Sequence, residues 1–156
     1  MNILVLGIGQ SLRGDDAAGL EAVRMWQALH PESAAQVNVE TSELPGLVLL
    51  DLLEGMDAAI VVDAVRSSAN AGIVIRVGPD ELASFTSGTG SVHGWGVAET
   101  LHLGQLLYPW VAKCRVTLIG INGKNFAIGA GLSPEVQTAM VDVVDMMERE
   151  INKYLL

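Results

Sequence analysis

The stretch 2-NILVLGIGQSLRGDDAAG-19 decides the fold. Asn2 to Leu6 is apolar without alternation, the pattern of a strand covered on both faces. Gly7, Gly9 and Gly14 then supply a tight turn, and Ala22, Val23, Trp26 and Leu29 recur at helical spacing beyond it. A strand, a glycine turn and a helix in that order open an α/β unit. Dinucleotide-binding proteins use the same order to seat a pyrophosphate at the helix N-terminus. Here Asp15 and Asp16 stand where the phosphate would bind, and each like-charge pair at ~4 Å costs about 4 kcal/mol at an effective dielectric of 20. Gly14 also comes two residues late for GxGxxG. The turn is shaped for close approach and charged for a cation.

Further strands follow the first. Ala58 to Val62 is a second unalternating apolar run and belongs beside it at the centre of the sheet. Gln36 to Thr41 and Gly72 to Val77 alternate more and suit the outside, and Arg115 to Ile121 reads as a fifth strand. Between them lie shorter helical patterns at Gly46 to Leu53 and Gly94 to Leu107. The final helix is the clearest: Ser133 as N-cap, Pro134 in the first turn, then Val136, Met140, Val143, Met147, Ile151 and Tyr154 along one face. Asp142, Asp145, Glu148 and Arg149 take the other face. This alternation predicts an open α/β sandwich with a mostly parallel sheet. Only Ala64 to Ala71 joins the third strand to the fourth, too short for a parallel crossover with its helix, so the fourth strand is predicted antiparallel.

At 156 residues, half of them hydrophobic and 17% charged, the chain is expected to form a single domain spanning 1–156. A net charge of −9 and the absence of a Lys/Arg cluster argue against nucleic acid and against an anionic membrane surface. No apolar run approaches the ~20 residues that span a bilayer. The single cysteine, Cys114, and the lack of a signal-peptide core point to the cytoplasm. Oligomeric state is left open by the sequence.

Ligands of open α/β sheets bind beyond the carboxyl ends of the parallel strands. Asp16 follows the first strand there, and Asp63 ends the third. The helix from about Gly94 must run antiparallel to the fifth strand, which brings His93 to the same rim. Two carboxylates and an imidazole make a partial coordination shell for a borderline divalent ion such as zinc or nickel, with positions left for substrate or water. Each also has a plainer role: Asp16 as an acid at a helix N-terminus, Asp63 as a strand-end acid bonding its loop, His93 as a loop histidine or cap. Asp15 reads as a helix-end acid, His30 as a solvated cation at a helix C-terminus, His102 as structural or surface, and Cys114 as a small core residue. HExxH and Gly-x-Ser-x-Gly are both absent. Glu40, ending the second strand, keeps a nucleotide-binding domain open as a rival reading.

"NILVLGIGQSLRGDDAAG", "IVVDAV", "SVHGWG", "LIGIN" and "GLSPEV", in that order over nearly the whole chain, resemble the hydrogenase maturation endopeptidases, which process the large subunit of nickel-iron hydrogenases. The resemblance implies a three-layer α/β/α sandwich of strand order 2-1-3-5-4, with the fourth strand antiparallel. It implies removal of a C-terminal extension from the large-subunit precursor once nickel is in place. Asp16, Asp63 and His93 match the family's metal-binding positions, the metal being the substrate's nickel, with Asp16 and Asp63 also catalytic; no organic cofactor is implied. A non-catalytic nickel-sensing assembly factor for the same precursor is the alternative. The chain departs from the family pattern at Gln10, where GxGN is usual, at Ala17, and at Glu40-Thr41-Ser42-Glu43, where Asp-Gly-Gly is frequent.

Overall fold

The computed structural model describes residues 1–44, 46–83 and 95–155. Five strands, β1 (Ile3–Ile8), β2 (Asn38–Ser42), β3 (Ala58–Val65), β4 (Val74–Val77) and β5 (Arg115–Asn122), form one sheet of order β2-β1-β3-β5-β4. The pairs β1·β2, β1·β3 and β3·β5 are parallel, and β4 runs antiparallel to β5. Both the order and the reversed fourth strand agree with the expectation. The unalternating runs occupy the centre because both of their faces are covered: every residue of β3 is buried.

Successive side chains of a strand leave it on opposite faces, and each face has its own core. Val5, Ile60, Val62, Ile119 and Ile121 pack against α1 (Ala18–Leu29) and α7 (Pro134–Leu155) through Trp26, Val136, Val143 and Met147. Leu4, Leu6, Val61 and Leu118 pack on the other side against α3 (Val48–Leu52), α4 (Pro79–Ala83), α5 (Gly96–Leu107) and α6 (Pro109–Lys113). Three of the short helices, α2 (Pro31–Ala34), α4 and α6, escape periodicity because four or five residues span barely more than one turn; each begins with a proline, the residue suited to a helix start. Of the longer patterns, Gly46 to Leu53 narrows to α3, and the helix expected from Gly94 begins at Gly96.

Two acids of α7 depart from a solvated role. Glu148, expected on the solvent face, accepts hydrogen bonds from Trp26 Nε1 at 2.8 Å and Ser33 Oγ at 2.7 Å. His30, expected in solvent, is half-buried with Nδ1 3.7 Å from the same carboxylate. Glu150 is 4% exposed and receives Arg76 Nε and Nη2 from β4 together with Lys153 Nζ at 2.9 Å. Burial pushes the Glu150 carboxyl up, but these charged donors outweigh it and hold it below its usual value. This fork fastens the edge strand β4 to the last helix. Arg76→Met leaves the buried carboxylate with Lys153 alone, and urea denaturation is expected to register a loss of about 2 kcal/mol, below the usual cost of breaking a buried pair because one cation remains.

Candidate active site

The glycines of the first turn serve packing. A Cβ on Gly19 would lie 2.4 Å from the carbonyl oxygens of both Ile8 and Val62, so its absence lets the start of α1 dock onto the ends of β1 and β3. Gly14 holds φ +57, a conformation that favours glycine, and opens a 3-10 turn, Gly14–Ala17, that carries both aspartates. Most of the loop amides are already occupied: Gly9 N donates to Ser42 O, Gln10 N to Asp16 O, Ser11 N to Glu43 Oε1, Asp15 N to Asn125 O and Asp16 N to Arg13 O. A phosphate would find no cradle of free amides here. The rival nucleotide site therefore lacks its central element.

The two adjacent aspartates do different work. Asp15 is fully buried and accepts four hydrogen bonds, from Lys124 N at 2.8 Å, Asn125 N at 3.1 Å, Ser133 N at 2.7 Å and Ser133 Oγ at 2.9 Å. Burial pushes its carboxyl up, yet the four donors outweigh this and hold it below the ordinary carboxylate range. The expected helix-end acid is instead a tie between the β1 turn and the segment that leads into α7. Ser133 does precede that helix, its carbonyl receiving Gln137 N at 2.9 Å, but its hydroxyl donates to Asp15.

Asp16 is half-buried and lines a cleft of about 440 Å³ at the carboxyl edge of the sheet. Asp63 lines the same cleft from β3, which continues two residues past it to Val65 instead of ending there. Its side chain leaves on the face of Val61 and Val65 and is 8% exposed. Burial raises its carboxyl to about 7; the Trp95 indole, donating from Nε1 to Oδ2 at 3.1 Å, works against that rise, and the Asp16 charge adds to it. The sequence thus placed both acids at one site, as the structure does. His93 lies outside the described residues, and among those described no set of three His, Cys, Asp or Glu side chains gathers in metal-binding geometry.

The rest of the cleft was not legible from spacing. Gln10, Glu43, Leu44, Leu49, Arg66, Trp95 and Phe126 line it, with the Arg66 guanidinium 3.9 Å above the Phe126 ring. Gln10 Nε2 donates to the Glu43 carbonyl, so two positions that depart from the family pattern meet and fasten the loop after β1 to the loop after β2. Cys114 is buried in the core, its thiol pushed up to about 12 by burial and by Asp57, which removes it as a nucleophile. What the cleft offers chemically is three acidic residues, Asp16, Asp63 and Glu43, with Asp63 ready to exchange a proton near neutral pH, beside an apolar floor.

A family model described as HycI, hydrogenase maturation protease, matches residues 29–150. The hydrogenase 2 maturation protease of Escherichia coli K12 is 30% identical over 145 residues, covering 91% of this chain and 85% of that protein. The hydrogenase expression/formation protein HupD of Thiocapsa roseopersicina is also 30% identical, over 92% of this chain, which spans 65% of its length. Among solved structures, the [NiFe] hydrogenase maturation protease HybD from Thermococcus kodakarensis superposes with a TM-score of 0.71 at 26% identity, covering 97% of this chain and 99% of that one. With a family model spanning most of the fold and relatives aligned along nine-tenths of the chain, the protein belongs to the hydrogenase maturation protease family, whose members are peptidases.

Proposed function

We propose that the protein is a cytoplasmic endopeptidase that removes the C-terminal extension of a nickel-iron hydrogenase large-subunit precursor after nickel insertion, reading the substrate's nickel through Asp16, Asp63 and His93. The observation that carries this is the meeting of Asp16 and a proton-holding Asp63 in one cleft, on the fold of a family of maturation proteases. Burial favours the protonated form of a free Asp63, and a nickel-bearing precursor displaces that proton, so engagement of a loaded substrate is coupled to proton release. Asp16 and Asp63 then orient the precursor so that its scissile bond faces water, and the substrate's own metal supplies Lewis acidity.

The test compares nickel-loaded and nickel-free precursor by mass spectrometry after incubation with the purified protein. Shortening of the loaded form alone is expected. Binding without shortening would make the protein a nickel-sensing assembly factor, and shortening of both forms would remove the metal from recognition. Asp16→Ala is expected to lower the cleavage rate by roughly 100-fold or more, because the carboxylate that shares the cation with Asp63 is gone. A rate within a few-fold of wild type would take Asp16 out of the mechanism.

A further inference from the structure

Asp63 on β3 and Gly120 on β5 are register partners, and the side chains of such partners stand side by side on one face of a sheet. Glycine leaves its half of that space open, and Val65 and the Trp95 indole share it: a Cβ at position 120 would lie 2.6 Å from Val65 Cγ2, 2.9 Å from Trp95 Cη2 and 3.2 Å from Cζ2. Trp95 is 4% exposed and its Nε1 is held 3.1 Å from Asp63 Oδ2. The other two tryptophans donate to Glu148 and to the Leu50 carbonyl, so Trp95 is the one whose N–H reaches a carboxylate of the cleft.

We infer that Trp95, seated over Gly120, is a positioning residue that makes Asp63 a one-oxygen ligand and so sets which cations the cleft accepts. The inference rests on the cleft being the nickel-recognition site. With Oδ2 held by the indole, Oδ1 is the oxygen that meets a cation shared with Asp16. Small borderline ions such as zinc and nickel take single carboxylate oxygens, zinc at roughly 2.0–2.2 Å, in small coordination shells. Calcium gathers six to eight oxygens and frequently takes a carboxylate by both. Fixing one oxygen therefore favours the first class over the second. It also holds the carboxylate plane, and outer partners of this kind are worth roughly 10–100-fold in metal affinity.

The probes are zinc and calcium ions alone, titrated calorimetrically into the full chain. Wild type is expected to prefer zinc. Trp95→Phe, which keeps the ring and removes the donor, is expected to weaken zinc about tenfold while leaving calcium unchanged or tighter, so that the preference narrows about tenfold. Gly120→Ala, which crowds Val65 and the Trp95 ring together but keeps the indole N–H, is expected to narrow it in the same direction. An unchanged preference, or a parallel loss for both ions, overturns the inference and leaves the nickel-recognition reading standing. Failure of wild type to bind zinc overturns the inference, whereas the nickel-recognition reading stands or falls with the loaded and nickel-free precursors. One measurement needs no variant: the Trp95 indole N–H signal in a proton–nitrogen NMR spectrum is expected to shift on zinc addition, whereas the Trp26 and Trp110 signals stay in place. A Trp95 signal that stays with them counts against the inference.

Discussion

Asp63→Asn is expected to stabilise the protein and to abolish processing. In the folded chain the Asp63 carboxyl titrates at about 7, against 3.8 for an unburied aspartate. Between those values the unfolded chain releases the proton and the folded chain keeps it, so stability falls as pH rises from about 4 to about 7 and the loss is complete above that. The interval corresponds to about 4 kcal/mol. An amide carries no charge to bury and still offers an oxygen to the Trp95 indole. The variant and wild type should therefore unfold at similar urea concentrations at pH 4, and the variant should gain up to about 4 kcal/mol at pH 8. Processing disappears because the amide neither gives up a proton nor coordinates as a carboxylate. Equal stability at pH 8 would show that Asp63 is solvated, and normal processing would remove it from the site. Stability withheld at a working carboxylate is the expected signature of a functional group, not of a structural one.

Asp15→Asn is expected to act in the opposite direction. Four donors converge on a fully buried carboxylate. With its oxygen in the place of Oδ2 the amide keeps Lys124 N, Asn125 N and Ser133 Oγ on a weaker, uncharged acceptor, and its NH2 group faces the Ser133 N–H, leaving that buried donor unsatisfied at about 1–3 kcal/mol. A total loss of about 3 kcal/mol, or a drop in melting temperature of roughly 6–12 °C, follows for a chain of this size. The carboxyl of Asp15 is held below its ordinary value, so its contribution is present above pH 3.8 and disappears as the pH falls through the lower folded value. The gap between wild type and variant should therefore shrink in strong acid. A change below 1 kcal/mol at pH 7 would return Asp15 to the modest role of a helix-end acid. Opposite signs for two aspartates that the sequence writes into one rim region make the pair of variants a stringent check on the structure.

The strands, their central or outer place and the reversal of β4 were legible in the sequence, because a strand buried on both faces must be apolar throughout and a link from Ala64 to Ala71 leaves no length for a crossover helix. The carboxyl-edge rule also put Asp16 and Asp63 together, since the topology of parallel strands carries chain ends to one rim whatever the side chains do. What each acid does there was decided by the tertiary structure alone. Asp15 and Asp16 are neighbours in a 3-10 turn, where successive side chains diverge by about 120°, so one faces the backbone amides of a segment more than a hundred residues away and the other faces the cleft. The same holds for the indole over Gly120 and for the Arg76–Glu150 fork. Periodicity reports which face of its own element a residue takes, but the partner waiting on that face comes from a distant part of the chain and exists only once the layers have closed.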